Sequence, residues 1–160
     1  FIKILGVAHI TTKSDTSPSY ISIVVCQDKI VVIDSIKVRL FRLHDLKFLA
    51  TTDRLKSIPR DMCLMDAMTI CVLHYKGLIE MKSIDSTDMS RVFKTTWSLR
   101  LQGIMDYYHG VVRFKDNLVV CGEKQGMVYW CVVSLHDGHV DAIHQICKVD
   151  GLWSLCRVTI

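Results

Sequence analysis

Four residues near the carboxyl end have side chains of the types that bind metal ions: His136, His139, His144 and Cys147. Zinc ligands must all come within about 2.3 Å of one ion. The local pattern predicts one strand from His139 to Cys147, and residues five apart on a strand point to opposite faces about 16 Å apart. The spacing therefore argues against a metal site here, and we expect neither a bound metal nor a cofactor.

Other reactive groups also lack a local motif. The chain has seven cysteines and seven histidines, but no spacing selects one nucleophile–base pair among them. Gly122 and Gly126 follow a predicted strand and precede another, whereas a phosphate-binding loop precedes a helix. A hydrolase would need convergent carboxylates, for which Asp61 and Asp106 are the candidates. We expect this chain to have no catalytic activity of its own.

The stretch from Pro59 to Leu101 contains four short apolar segments separated by polar turns. The segment Thr69–Tyr75 is apolar on both faces, which is typical of a strand that is covered on both sides. The last segment alternates, which predicts that one face carries Phe93, Thr95, Trp97, Leu99 and Leu101. Burial thus falls from the second strand to the fourth, as it does across a blade of a β-propeller.

Looser copies of this pattern occupy the rest of the chain. We place complete units at about 20–55, 59–101 and 108–147, with partial units at 1–10 and 151–160. The turn residues Asp28, Asp66 and Asp116 recur at roughly 40 to 50 residues, a period found in propeller blades. The sequence predicts an all-β fold, a β-propeller fragment of about three four-stranded antiparallel blades. Hairpins of a sandwich or barrel are the alternative, but such strands are more often apolar on one face only.

The lead-in to each first strand is informative about the family. Ile58–Met65, followed by the Asp66 turn and a Val/Ile-rich strand, resembles the NHL repeat of tripartite-motif proteins, and Tyr108–Val112 and Leu152–Leu155 resemble the same position. A WD-type propeller is the rival, although no Trp-Asp pair closes a unit. The resemblance implies a module that binds protein or RNA. It implies ubiquitin-ligase activity only through RING and B-box modules, which this chain lacks.

In such a fold the loop before each innermost strand reaches one rim of the central channel. We therefore expect a binding surface made of Arg60, Tyr107, Tyr108, His109 and Trp153. Arg, Tyr and Trp dominate protein recognition surfaces and can also stack on RNA bases. Taken singly, Tyr108 and Trp153 could instead be half-buried blade aromatics. Four further basic residues are interpreted as lying on solvated outer faces of the blades: Lys37, Arg39, Lys94 and Arg100.

Composition limits the other possibilities. Hydrophobic residues make up 50% and charged residues 22%, which excludes disorder, and no apolar run of about 20 residues could span a membrane. The net charge of +4 is scattered along the sequence, and buried free cysteines favour a cytoplasmic location. The chain begins at Phe1, so we interpret it as a fragment whose open blade faces should make it self-associate.

The function that these observations favour is a non-catalytic scaffold that binds a protein partner, and the resemblance implies more specifically the substrate-recognition part of a tripartite-motif ubiquitin ligase. RNA binding by the same rim is the first alternative. A propeller hydrolase is the second.

Overall fold

The structure is a computed structural model that describes residues 20–52, 54–85, 87–88 and 91–148. These residues form three four-stranded antiparallel sheets and include no helix that could span a membrane. The first sheet contains β1 (Tyr20–Cys26), β2 (Lys29–Asp34), β3 (Val38–Arg42) and β4 (Phe48–Thr51). The second contains β5 (Pro59–Asp66), β6 (Thr69–His74), β7 (Leu78–Ser83) and β8 (Thr95–Arg100). The third contains β9 (Tyr107–Phe114), β10 (Asn117–Lys124), β11 (Met127–Ser134) and β12 (Val140–Lys148).

Each sheet is a simple up-and-down meander in which the strand order follows the chain. We call the three sheets blades 1, 2 and 3. The first strand of blade 2, β5, lies against both β1 and β9, the first strands of its neighbours. The first strand of each blade is therefore the inner one, and the three blades lie side by side with these inner strands adjacent. The predicted all-β architecture of three four-stranded antiparallel blades is confirmed. The two predicted partial units lie outside the described residues.

Blade 2 is covered on both faces. Its second strand, β6, directs Ile70 and Val72 into an apolar cluster shared with blade 1, and Cys71 and Leu73 into one shared with blade 3. All four side chains are fully buried. Burying a side chain of this size contributes about 1.5–3 kcal/mol. Apolar packing on both sides of β6 is thus what holds the three blades together.

The predicted shared face of the fourth strand is wrong for one residue. Phe93 precedes β8 and has a positive φ of 62°. Its side chain packs in the cluster with blade 1, whereas Trp97 and Leu99 pack toward blade 3. The pairing of β7 with β8 also shifts by one residue between Met81 and Lys82. These two local irregularities break the simple alternation on which the prediction depended.

The interpretation of Arg39 as a solvated residue is also wrong. Arg39 is 2% exposed and pairs with the fully buried Asp34, whose Oδ2 lies 3.0 Å from both Nε and Nη2 of the guanidinium. The other oxygen of Asp34 accepts hydrogen bonds from the backbone N–H groups of Ile36 and Lys37. Both buried charges are therefore compensated, as burial requires. Lys94 and Arg100 are exposed, in agreement with the interpretation.

A carboxylate connects the inner strands of all three blades. Asp61, on β5, accepts a hydrogen bond at Oδ1 from the Ser22 hydroxyl of β1, at 2.9 Å. Its Oδ2 accepts one from the backbone N–H of Val111 on β9, at 3.0 Å. Each oxygen of this candidate hydrolase residue is thus used to join neighbouring blades.

We expect Asp61→Ala to lower the free energy of unfolding by about 1–3 kcal/mol, because the Val111 N–H loses its acceptor. Asp61→Asn should cost less, since the amide keeps an oxygen to accept and gains a donor for Ser22. Urea denaturation monitored by circular dichroism measures both changes. The Ser22→Ala background provides the control, because the two substitutions should be non-additive if the hydrogen bond matters. Full additivity would show that Asp61 does not act through Ser22.

Candidate functional site

The antiparallel order brings several loops to the same end of the blades. β1, β5 and β9 begin at this end, which we call the upper rim. The β2–β3, β6–β7 and β10–β11 turns and the connections between successive blades lie there too, because every second strand end falls on the same side. The remaining turns form the opposite end, the lower rim.

Four side chains of the upper rim form what we call the rim cluster: Arg60, Tyr75, Lys76 and Tyr107. The two tyrosine rings stack, with centroids 5.0 Å apart and an interplanar angle of 27°. The Arg60 guanidinium carbon lies 4.5 Å from the Tyr75 centroid. Lys76 Nζ lies 5.2 Å from the Tyr75 centroid and 5.0 Å from that of Tyr107. The result is a pair of stacked aromatic rings with two cations against it.

A glycine allows this arrangement. Gly77 has a φ of +76°, and a Cβ atom there would lie 2.5 Å from Cε2 of Tyr108. The Tyr108 ring therefore packs directly against the β6–β7 turn. In the same place, the Tyr108 N–H donates to the Tyr75 carbonyl at 3.3 Å and the Leu101 N–H to the Gly77 carbonyl at 2.9 Å. These contacts fix the turn of blade 2 against the first strand of blade 3.

Tyr108 itself does not form part of the exposed surface. It is 1% exposed, and its hydroxyl donates to the Leu101 carbonyl at 2.6 Å and accepts from the Met105 N–H at 3.3 Å. Burial raises the pKa of this phenol to about 12. The prediction of Tyr108 as a contact residue is therefore corrected. Successive residues of a strand point to opposite sides, so Tyr107, which is 37% exposed, faces outward while Tyr108 faces inward.

His109 lies next to the cluster. Its Nε2 is 4.0 Å from Glu123 Oε2, and the ring is half-buried. Burial, followed by the positive charge of Arg60, lowers the pKa of His109, which favours the neutral imidazole. Among the residues predicted for the site, Arg60, Tyr107 and His109 come together at the upper rim, and Trp153 lies outside the described residues.

Sequence reasoning missed two members of the cluster. The sequence pattern predicts Tyr75 only as the end of the segment Thr69–Tyr75, and it predicts no role for Lys76. The available signal was positional: a second-to-third strand turn lies at the same end of a blade as the lead-in to its first strand. Arg60 and the Tyr75–Lys76 pair should therefore have been expected at one rim.

A buried polar network lies directly beneath Tyr75. His74 is buried, with Nδ1 3.1 Å from the Ser57 carbonyl oxygen and Nε2 2.9 Å from Glu80 Oε2. Lys82 Nζ lies 3.2 Å from the same Glu80 oxygen and donates to Thr95 Oγ1 at 2.8 Å. The hydrogen bond from His74, followed by the charge of Lys82, lowers the pKa of Glu80 to about 2. The network anchors the end of β6 from which the cluster projects.

Three of the residues first considered as metal ligands, His136, His139 and His144, have described side chains. His136 and His139 lie in the β11–β12 loop, because β12 begins at Val140 and not at His139 as predicted. The His139 N–H bonds to Asp137 Oδ1 at 3.0 Å, and His144 stacks on Trp130 with centroids 4.3 Å apart. Within the described ranges, no three His, Cys, Asp or Glu side chains come together in a way that could hold a metal ion.

A shallow groove of about 390 Å³ opens between the connection that joins blades 2 and 3 and the outer strands of blade 3. Its walls come from the connection between the blades and from the β10–β11 hairpin, with one residue of β12. They include Ile104, Lys124, Tyr129 and Ile143. The groove combines apolar walls with a cation at the upper rim.

The Glu80 network makes stability depend on pH. A carboxyl whose pKa is lower in the folded state stabilises the fold above its unfolded pKa of about 4.5, and this contribution is lost as pH falls toward 2. We therefore expect Glu80→Gln to lower the melting temperature at pH 7, with a difference from the unmodified chain that shrinks between pH 4.5 and 2. Thermal denaturation across this pH range measures it. A constant difference would show that the carboxylate charge is not what stabilises the network.

Comparison with known proteins identifies the fold and no family. No family model matches the chain, and no curated protein matches it in sequence. Solved β-propellers do match in structure. The WD40 β-propeller domain of Doa1 has a TM-score of 0.63 at 14% identity, over 80% of this chain and 41% of that one. The Myceliophteria thermophila Cps50 (Swd1) β-propeller domain has a TM-score of 0.61 at 9% identity, over 82% and 45%.

BamB from Moraxella catarrhalis is a third similar structure, with a TM-score of 0.55 at 13% identity, over 78% of this chain and 36% of that one. The chain thus spans less than half the length of these three structures. Identities this low establish the fold alone. The described residues form three four-stranded blades of a β-propeller.

Proposed function

We propose that this chain is a non-catalytic protein-interaction module that contacts its partner through the rim cluster. One observation supports this proposal above the others: two stacked tyrosines, with Arg60 and Lys76 against them, lie at an exposed rim of a rigid scaffold. Tyrosine and arginine are the side chains that most often dominate the energetics of protein interfaces.

The cluster is also preorganised. Gly77 and the buried Tyr108 hold the turn that carries Tyr75 and Lys76. The His74–Glu80 hydrogen bond fixes the strand end before it. Side chains that are already ordered lose less conformational entropy on binding, so more of the contact energy is available as affinity.

RNA binding by the same rim is the alternative. Stacking with a base requires an open aromatic face. The Tyr75 ring is already covered by Arg60 and by Tyr107. This geometry favours lateral contacts with a protein over insertion between bases.

A hydrolase is less well supported. Both oxygens of Asp61 accept hydrogen bonds that join blades, and Asp106 Oδ2 accepts one from the Gln125 N–H at 3.0 Å. These two carboxylates therefore have structural partners on different parts of the molecule. Because both carboxylates accept these structural hydrogen bonds, they support the proposal of a non-catalytic module.

Two finer proposals follow from the sequence. The lead-in resemblance supports a role in substrate recognition for a ubiquitin ligase of the tripartite-motif type, with the ligase activity supplied by other domains. Free buried cysteines of the described blades support a reducing, cytoplasmic location: Cys26, Cys63, Cys71 and Cys131.

Selection of a displayed random-peptide library on the chain tests the proposal. We expect binders whose affinity falls about tenfold or more in Tyr107→Ala and in Arg60→Ala, the loss typical of an interface hot spot. Fluorescence anisotropy with the selected peptides measures the affinities. Phe114→Ala is the matched control, because Phe114 lies at the other end of the same strand, is 45% exposed and also has a lysine over its ring.

Two results would contradict the proposal. Selected peptides that bind the Tyr107 and Arg60 variants unchanged would place the contact elsewhere. Failure to obtain peptides, together with tight binding of single-stranded RNA that weakens steeply with salt, would support the RNA alternative instead.

A further inference from the structure

The two rims differ in how many carboxylates lie near their basic side chains. Seven basic residues whose side chains are described lie at the upper rim or on its connections: Lys37, Arg54, Lys56, Arg60, Lys76, Arg100 and Lys124. Against them, the acidic side chains of this rim that reach solvent in the described ranges are the exposed Asp106 and the half-buried Glu123. Basic side chains therefore outnumber the solvent-accessible acidic ones at this end of the blades.

These upper-rim cations are not neutralised within the described part of the molecule. No described carboxylate lies within 4.0 Å of any of the seven. Lys124 donates to the Gly103 carbonyl, and Arg60 and Lys76 lie over tyrosine rings. Such contacts orient the cations but leave their charge uncompensated.

Three of the seven basic residues with described side chains at the lower rim, Lys29, Arg42 and Arg91, are instead paired with a carboxylate. Arg42 Nη1 lies 3.3 Å from Asp45 Oδ2, and Arg91 Nε lies 3.1 Å from Asp88 Oδ2. The lower turns are also rich in aspartate, with Asp66, Asp85, Asp116 and Asp137. The lower rim therefore supplies its own counter-charges, whereas the upper rim does not.

We propose that the partner of the upper rim is an acidic protein segment, rich in Asp and Glu, that runs from the connection between blades 1 and 2, past the rim cluster, to the groove at the connection between blades 2 and 3. This inference rests on the proposed function and names the chemistry of its partner. Opposite charge along the path of contact steers association and excludes wrong partners.

The distribution of the cations explains the choice of carboxylates over one phosphate. Arg54, Arg60 and Arg100 lie on separate segments, at the blade 1–2 connection, the start of β5 and the end of β8. A phosphate is best bound by donors that converge on one point. Cations spread along a rim suit side-chain carboxylates spread along an extended peptide.

The groove offers an apolar contact at the end of this path. Ile104, Tyr129 and Ile143 line it, next to Lys124. Ile143 is 53% exposed, so about half of its surface is available for a contact. An acidic segment that ends in one aliphatic residue would match both the rim and the groove.

The probe is a fluorescein-labelled 12-residue peptide of Glu and Asp with one Leu near its end, about 40 Å long when extended. Fluorescence anisotropy measures its binding at low and at physiological salt. Three other probes are compared: the peptide with Lys in place of every acid, one with phosphoserines in place of the acids, and a 12-nucleotide oligo-uridine. We expect the acidic peptide to bind more tightly than the Lys peptide and the RNA, and to weaken as salt rises.

Charge reversal locates the contact. Lys76→Glu and Arg100→Glu should each weaken the acidic peptide by about fivefold or more, because an attraction becomes a repulsion. Lys115→Glu is the matched control and should change affinity less than about twofold, since Lys115 lies over the Phe114 ring at 5.5 Å but on the lower rim. Circular dichroism melting verifies that all three variants fold.

Several results would overturn the inference. They are equal binding of the Lys peptide, tighter binding of the RNA or of the phosphoserine peptide, no binding of the acidic peptide, and no effect of Lys76→Glu. Its failure can be separated from that of the proposed function. Neutral library peptides that need Tyr107 but tolerate Lys76→Glu would leave the proposed function intact and exclude an acidic partner.

Discussion

The structure depends on one constraint: the second strand of blade 2 is apolar on both faces, so it must be covered from both sides. Val72 is buried against blade 1, and Leu73 against blade 3. A strand cannot satisfy this requirement within its own sheet, since a sheet leaves both faces open. Packing sheet against sheet does satisfy it, and it also sets the inner strands beside one another. Asp61 then adds a polar link between these strands where their backbones meet.

The same packing produces the candidate site. Because antiparallel strands alternate in direction, lead-ins and every second hairpin turn reach one rim. Gly77 lets the Tyr108 ring pack under the turn of the neighbouring blade, and this buried contact sets the position of the exposed Tyr75 and Tyr107. The site is therefore a consequence of blade packing, with buried residues determining how the exposed ones are presented.

The distribution of charged side chains also depends on how the strands and turns are arranged in the blades. Carboxylates inside the blades are used to compensate buried cations, as in the Asp34–Arg39 pair and the Glu80–Lys82 pair. Carboxylates of the lower turns cap those turns and pair with nearby arginines. Few remain at the upper rim, where the basic residues stay exposed. A small overall charge thus becomes an asymmetric surface, which is the property that electrostatic recognition requires.

The sequence by itself determined the strands, their grouping and the number of blades, because two-sided apolar segments, Asp turns and a period of 40 to 50 residues are local signals. It also predicted Arg60 and Tyr107 at a rim. Only the tertiary structure decided which side chains are covered. Arg39 has the pattern of an exposed residue but pairs with a buried carboxylate, and Tyr108 lies inside although its neighbour Tyr107 lies outside. Burial depends on what the next blade places opposite a residue, and that contact is made between segments far apart in the chain.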